Sequence, residues 1–150
     1  MEQEKPNLAD AEIGEEIVYE YKMTPEVVEQ YMRASGDRNP WYTGDSPFGG
    51  PIAPPVLLPR LHSAMLSLKF TGKGRVHVAT EAEFFAPARV GKTVTARGRI
   101  VDKYTKRGRE YFVLESEDVD EDGVLLCRDR RTYLPRYAPV AAPGHANKEA

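Results

Sequence analysis

One helical pattern followed only by strand patterns most constrains how this chain can fold. Residues 55–68 form the most continuously apolar run in the sequence, and their apolar side chains recur at the spacing of a helix with a broad buried face. Pro59 lies inside this run, where an ordinary helix would lose a hydrogen bond. We therefore expect an irregular first turn over residues 54–58 with regular helix from Pro59, or a kink at Pro59. The Gly-containing residues 71–74 end this central helix.

After the central helix the hydrophobic period changes to that of strands. Alternating segments rich in Val, Thr and Phe predict strands at residues 75–85, 93–104, 110–119 and 124–134. The connections between them are short and contain Gly with charged residues, as hairpin loops do, which predicts a meander. With an earlier strand at residues 17–22, the pattern predicts an α+β fold in which an antiparallel sheet wraps around a central helix.

A second, shorter helix leads into a long loop. Thr24 is placed as an N-cap, Pro25 as the first helical residue, and Gly36 as the C-terminal stop, which predicts a helix over residues 25–35. The loop that follows is dense in Gly, Pro, Asp and Asn and runs to the start of the central helix. A loop of this length inside a compact domain more often carries a binding or active site than a plain connection.

The domain organisation follows from length and polarity. The 150 residues are enough for one domain with a hydrophobic core, which we place at residues 13–135. Residues 1–12 are polar and aperiodic and predict a flexible N-terminal arm. Residues 136–150 are rich in Ala and Pro and predict a disordered tail.

Charge and composition argue against several classes of function. The net charge of −2 and pI near 6.0 give no electrostatic reason to expect nucleic acid. The sequence has no run of roughly 20 apolar residues and no signal-peptide pattern at its start, so we expect a cytoplasmic protein that does not contact a membrane. Cys127 is the only cysteine, which rules out an internal disulfide, and nothing in the sequence resembles a zinc ligand set. We expect no metal and no cofactor.

Two motifs in the long loop resemble a known family. The stretches SGDRNPWY (residues 35–42) and FGGPIAPP (residues 48–55) resemble the MaoC-like hydratases and dehydratases of the hotdog superfamily, whose pattern is close to S-G-D-x-N-P-x-H followed by F-G-x-x-I-A-H-G-M. The later FFAPARVGKTVTARGRI also resembles a family segment, so the resemblance extends over residues 13–135. Two positions depart from the pattern: Tyr42 stands at the family's catalytic His, and Pro54-Pro55 stands for His-Gly.

The resemblance implies a fold and a reaction. It implies the hotdog fold and reversible addition of water to a 2-enoyl thioester of coenzyme A or acyl carrier protein. In the family an Asp and a His move the protons, and a backbone N–H at the start of the central helix holds the thioester oxygen. Carried to this sequence, the catalytic positions are Asp37 and Tyr42. The two departures are most similar to the degenerate half, or FAS1-like dehydratase domain, of two-domain and heterodimeric dehydratases.

Both departures weaken the expected chemistry. A phenol has a reference pKa of about 10, so Tyr42 is a proton donor and a poor base at neutral pH. Pro55 has no N–H to offer the thioester oxygen, and loss of one such donor costs roughly 2.7 to 4 kcal/mol in the transition state. Val56 or Leu57 would have to supply the donor instead.

Several further residues are candidates for contact with the substrate, each with a plain structural alternative. The predicted substrate-binding residues are Asn39, Trp41, Ile52, Ala53, Val56, Ser63 and His77. Asp37 and Asn39 also suit a turn, Tyr42 could simply pack beside Trp41, and Ser63 could be an ordinary helix residue. For His62, on the central helix, a satisfied and partly buried side chain is the expected role.

These observations leave three functions open. The first is an enoyl-thioester hydratase or 3-hydroxyacyl-thioester dehydratase component of fatty-acyl or related acyl-CoA metabolism. This chain would be the substrate-binding subunit of a homodimer, or of a heterodimer with a hotdog subunit that has a complete Asp/His loop. The second is a non-catalytic acyl-thioester binding module. The third and weakest is a hotdog thioesterase, because residues 55–68 contain no carboxylate and Asp45 is the only other acid in the loop.

Overall fold

Two α-helices and five strands make up the described part of the chain. The structure is a computed structural model and describes residues 4–137. The helices are α1 (Pro25–Ser35) and α2 (Leu57–Lys69), and the strands are β1 (Glu16–Lys22), β2 (Val76–Phe84), β3 (Thr93–Lys106), β4 (Arg109–Asp120) and β5 (Leu125–Leu134). The strands form one antiparallel sheet, and the buried face of α2 packs against it. The predicted α+β hotdog fold is confirmed.

The strand order is β1-β3-β4-β5-β2, so one part of the predicted meander is wrong. Strand β2 pairs with β5, from Val76 opposite Leu134 to Phe84 opposite Cys127, rather than with β3. The connection over residues 85–92 runs from β2, at one edge of the sheet, to β3, next to the strand at the other edge. It does not form a hairpin. Its backbone groups bond elsewhere, with the Ala88 carbonyl accepting from Ala53 N–H at 2.8 Å. Alternation and a Gly cannot distinguish such a crossing from a hairpin.

The ends of α1 are determined locally. The Thr24 hydroxyl accepts a hydrogen bond from Val27 N–H at 3.2 Å, and Gly36 adopts a left-handed conformation with φ of 75°. Both are the predicted caps. The helix therefore ends at Ser35 and delivers the chain directly to Asp37.

The first turn of α2 tolerates its prolines. Leu57 N–H donates to the Pro54 carbonyl and Leu58 N–H to the Pro55 carbonyl, which is a tight turn of the i to i−3 type. Pro59 then falls within the first turn of the helix, where no helical N–H is needed. The predicted irregular start is present, but regular helix begins at Leu57, two residues earlier than expected.

The sheet approaches α2 most closely at Gly98 on β3. A Cβ atom at this position would collide with the Met65 methyl group and lie 3.1 Å from atoms of Leu114 and Ser116. Met65 is itself fully buried. Glycine at this position therefore leaves room for the Met65 methyl group, and a larger residue would force the Met65 side chain to shift.

Residues 7–11 differ from the predicted flexible arm. Leu8, in a short 3-10 helix at Leu8–Asp10, and Ala11 are both buried in the main core cluster. The Asn7 side chain caps this turn by accepting from Ala9 N–H at 2.9 Å. Two apolar residues are too few to show periodicity in the sequence, yet they are enough to anchor the segment.

The predicted tail lies mostly outside the described residues, at 138–150. No helix within residues 4–137 is long and apolar enough to span a membrane.

Candidate active site

The loop after α1 brings Asp37 and Tyr42 into direct contact. A short 3-10 helix at Pro40–Tyr42 begins at Asn39, whose side-chain oxygen accepts from Trp41 N–H at 3.1 Å. This turn points the Tyr42 ring back toward Asp37, and the phenol donates to Asp37 Oδ2 at 2.9 Å. Asp37 Oδ1 accepts from Asn39 N–H at 3.2 Å. Both carboxylate oxygens are thus held by donors from residues 39 and 42.

The environment of Tyr42 defines what the pair can do. Its side chain is buried, with 8% exposure, whereas Asp37 is half-buried. Burial, followed by the hydrogen bond to Asp37 and the charge of Asp37, raises the pKa of Tyr42 to about 12. At neutral pH the phenol therefore donates a hydrogen bond and does not act as a base. Proton acceptance in this pair belongs to Asp37.

An apolar pocket of about 440 Å³ lies beside this pair. One wall comes from the loop, the floor from the start of α2, and the opposite wall from the crossing connection. The lining comprises Asn39, Trp41, Tyr42 and Phe48 from the loop, Ile52, Ala53, Pro55 and Leu58 from the floor, and residues 84–88 from the connection. None of these side chains is charged. An apolar pocket with a few polar groups at one end suits a small-molecule site.

The backbone donors near the start of α2 are nearly all used. Ile52 N–H donates to the Trp41 carbonyl at 2.9 Å, Ala53 N–H donates to the Ala88 carbonyl, and Leu57 N–H is bound within the first helical turn. Pro54 and Pro55 have no N–H. Among the described residues, Val56 N–H donates to no backbone acceptor. It is the one backbone donor of residues 52–58 left for a ligand oxygen within residues 4–137.

The structure places four of the seven predicted substrate-binding residues around this pocket. Asn39, Trp41, Ile52 and Ala53 line it with Tyr42. Val56 lies just before α2 but is not part of the lining. The other two predicted residues, Ser63 and His77, do not line the pocket either.

Each of these two residues has local partners elsewhere. The Ser63 carbonyl on α2 accepts from the Ser67 hydroxyl at 2.9 Å. The exposed His77 on β2 contacts the Ala79 carbonyl at 3.0 Å and the Thr80 hydroxyl. The structure thus places Ser63 and His77 outside this pocket.

Sequence reasoning missed the far wall of the pocket and much of its floor. Residues 84–88, the sequence FFAPA, form that wall, and Phe48, Pro55 and Leu58 complete the lining. A signal was present, because two adjacent aromatics end the β2 pattern where strict alternation would bury only one. Phe84 and Phe85 are both about half exposed.

A buried charged network connects α2 to the sheet away from the pocket. His62 is fully buried and lies between two carboxylates, with Nδ1 2.9 Å from Asp129 Oδ2 and Nε2 3.0 Å from both oxygens of Asp118. Arg131 Nε donates to the same Asp129 oxygen at 2.8 Å. We call these four residues the His62 network. The prediction that the His62 side chain has hydrogen-bond partners is confirmed, and the side chain is fully rather than partly buried.

The charges in the His62 network balance when the imidazole is protonated. Burial by itself lowers the pKa of His62, but the hydrogen bonds and charges of Asp118 and Asp129 outweigh burial and raise the pKa to about 9. Burial raises the pKa of Asp118, and the hydrogen bond from His62 opposes that rise. With the imidazole protonated, His62 and Arg131 supply one cation for each of the two aspartates, which is the balance that a buried ion network requires. Within residues 4–137 no cluster of three or more His, Cys, Asp or Glu could hold a metal ion.

Comparisons with known proteins agree on one family. Residues 11–128 match the family model of the FAS1-like, dehydratase domain region. The 3-hydroxybutyryl-CoA dehydratase of Methylorubrum extorquens is 28% identical over 127 residues, which cover 79% of this chain and 81% of that protein.

Solved structures share the architecture. The R-hydratase PhaJ1 of Pseudomonas aeruginosa superposes with a TM-score of 0.76 at 19% identity, covering 89% of this chain and 88% of that one. The HadBC (3R-hydroxyacyl-ACP dehydratase) complex of Mycobacterium tuberculosis superposes with a TM-score of 0.69 at 19% identity, covering 84% and 98%. These likenesses concern the fold. With the family match over residues 11–128, the chain belongs to the FAS1-like dehydratase domain family of MaoC-like hotdog hydratases and dehydratases.

Proposed function

We propose that this chain is the acyl-thioester-binding subunit of an enoyl-thioester hydratase, or 3-hydroxyacyl-thioester dehydratase, of cytoplasmic fatty-acyl or related acyl-CoA metabolism. The observation that carries the proposal is the Asp37–Tyr42 hydrogen bond at the polar end of an uncharged pocket. The substrate is a thioester of coenzyme A or acyl carrier protein, and no other cofactor takes part. The dehydratase name of the Methylorubrum relative supports the reaction class.

The geometry supports binding better than turnover. Hydration needs a base for water, an acid for the α carbon and a donor at the thioester oxygen. Asp37 can accept a proton, but the Tyr42 phenol, with its pKa raised to about 12, cannot alternate between acid and base at neutral pH as an imidazole does. Val56 N–H is the one remaining donor near the start of α2 among the described residues. This chain alone is therefore a weak catalyst.

The exposed strand β2 supports pairing with a second hotdog subunit. All nine residues of β2 are exposed, and one long edge of the strand faces no other strand of the described chain. Val76 and Val78 on β2 and Leu68 on α2 are large apolar side chains between 39% and 51% exposed. An open strand edge beside apolar surface is a pairing site. The partner is a second copy or, as the HadBC complex suggests, a different hotdog subunit with a complete Asp/His loop.

Light scattering tests the assembly. The chain is expected to have at least twice its monomer mass of 16.8 kDa, alone or with a hotdog subunit that has a complete Asp/His loop. Val78→Lys should reduce that mass, because it puts a charge at the pairing edge. Val18→Lys on β1 is the matched control, since Val18 has a similar exposure of 46% on the opposite edge of the sheet. A stable monomer at micromolar concentration under both conditions would refute pairing.

Steady-state hydration of crotonyl-CoA and of a longer enoyl-CoA tests the activity. The isolated chain is expected to be slow and to become active only with a partner that supplies Asp and His. Asp37→Ala should then change the rate of the complex little, whereas loss of the partner's Asp or His should abolish it, because residues of one catalytic unit fail together. Tyr42→Phe is measured beside Asp37→Ala in the isolated chain. Rapid hydration by the isolated wild type, lost in either variant, would overturn the subunit role and make Asp37 and Tyr42 catalytic.

The second candidate is a non-catalytic acyl-thioester binding module. The high pKa of Tyr42 and the two prolines before Val56 favour it equally. It differs in one outcome: the chain would bind thioesters while neither the isolated protein nor any paired form hydrates them.

A further inference from the structure

The pocket is larger than a short acyl group needs. Its volume of about 440 Å³ is enough for on the order of ten methylene groups, at about 30 Å³ each, together with the thioester itself. A four-carbon acyl group would leave most of this space to water. Water is poorly held there, because the lining has polar side chains only at Asn39 and Tyr42.

Four aromatic side chains line the pocket in addition to Tyr42. Trp41 and Phe48 pack edge to face with their ring centroids 6.2 Å apart, and Phe84 and Phe85 lie on the opposite wall. All four are between 40% and 49% exposed, so a large apolar area faces solvent inside one concavity. Apolar area of this kind is covered favourably by a ligand chain.

Phe48 is held in place by a compact turn. Ser46 Oγ accepts from Phe48 N–H at 3.2 Å and donates to the Gly50 carbonyl, and the Arg89 side chain bonds to the Gly49 carbonyl at 3.4 Å. Gly49 and Gly50 have φ of 80° and 113°, values that favour glycine and allow this tight turn. The Phe48 ring is thus a positioned wall of the pocket.

We propose that this pocket selects linear acyl chains of about eight to twelve carbons, with the thioester end at Tyr42 and the chain between Trp41–Phe48 and Phe84–Phe85. This inference extends the proposed function. It rests on that function only in placing a thioester group at the Tyr42 end of the ligand. The recognised chemistry is a medium-length acyl thioester, whether carried by coenzyme A or by a carrier protein.

Trp41 provides the measurement, because it is the only tryptophan of the chain and it lines the pocket. Its fluorescence should change on titration with saturated butyryl, octanoyl and dodecanoyl thioesters of N-acetylcysteamine. The dissociation constant is expected to fall by about two- to fourfold for each added methylene until the pocket is full. The same acyl series on coenzyme A shows what the nucleotide adds, and free coenzyme A serves as the chain-free reference.

Two variants test whether the length dependence arises in this pocket. Phe48→Ala should weaken octanoyl binding at least fivefold with little effect on butyryl, because it removes a wall that only the longer chain reaches. Ala86→Leu should fill the half-buried far wall and give octanoyl and butyryl similar affinities. Tyr104→Ala is the control, since Tyr104 is an aromatic with 40% exposure on the β3–β4 hairpin, away from the pocket.

The outcomes separate this inference from the proposed function. Equal affinity for all chain lengths, or length dependence unchanged in both pocket variants, would overturn it. Saturated thioesters cannot be hydrated, so the result does not depend on turnover. Length-dependent binding without hydration in any paired form would refute the hydratase function and support the acyl selectivity. Hydration without length-dependent binding would support the hydratase function and refute the acyl selectivity.

Discussion

Replacing His62 with Ala is expected to lower the free energy of unfolding by about 3 to 5 kcal/mol, the cost of removing one partner from a buried ion network. The substitution leaves Asp118 and Asp129 in the core facing a single cation, Arg131. All of His62 and both carboxylates are inaccessible to water, so solvent cannot replace the lost hydrogen bonds. Asp129 Oδ1 already lacks a partner among the described residues, which makes the site intolerant of further loss.

Urea unfolding followed by circular dichroism measures this effect. Glu115→Ala is the control, because it removes an ion pair with Arg130 on the outer face of the same strands where both side chains are about half exposed. That change should cost no more than about 1 kcal/mol. If His62→Ala cost as little as Glu115→Ala, the His62 network would not hold α2 to the sheet.

The stability of the wild type is expected to fall by about 3 kcal/mol as the pH rises from 6.5 to 9. The pKa of His62 is about 9 in the folded protein and 6.5 as its usual value, and that difference corresponds to about 3 kcal/mol. Because the folded value is the higher one, the contribution is complete below pH 6.5. It is lost as the pH rises through 9.

Unfolding at pH 6, 7, 8 and 9 tests this dependence, with Glu115→Ala as the control that should keep the wild-type profile because its ion pair lies outside the His62 network. Other buried groups titrate near the His62 network. Burial, followed by the charges of Asp118 and Asp129, raises the pKa of Cys127 to about 12, and burial raises the pKa of Tyr21 as well. The ordinary pKa of the Cys127 thiol is 9.0, so its contribution to stability begins to be lost near pH 9, in the same direction as that of His62. The ordinary pKa of Tyr21 is 10.0, so its contribution is lost only at higher pH. A wild-type stability that does not fall between pH 6.5 and 9 would contradict a charged His62.

Local patterns in the sequence predicted most of the elements. The cap at Thr24, the stop at Gly36 and the helical spacing of residues 55–68 each depend on neighbours within a few positions, and the structure has both helices within two residues of their predicted limits. The same holds for the five strands. The resemblance of the loop to the MaoC-like motifs also predicted Asp37 and Tyr42 as the catalytic positions. In the structure a hydrogen bond joins these two side chains.

Features made by distant residues were not predictable in this way. The position of β2 beside β5 depends on the crossing of residues 85–92, and nothing local distinguishes that crossing from a hairpin. The His62 network joins positions 56 and 67 residues apart. A partial signal existed in β4, where Ser116 and Asp118 occupy the inward positions that follow Leu114. Only the fold shows that a cation from α2 meets Asp118.

The strand order also dictates when the sheet can be completed during synthesis. Strands β3, β4 and β5 are consecutive and can pair as hairpins, whereas β1 must wait for partners 71 to 83 residues further along the chain and β2 for partners 43 to 58 residues further along. At about 5 to 20 residues per second, a ribosome leaves β2 unpaired for several seconds after it emerges. Its apolar residues Val76, Val78 and Phe84 are then available to other nascent chains. Because β5 is the last strand to be made, β2 is the last strand of the sheet to find its partner.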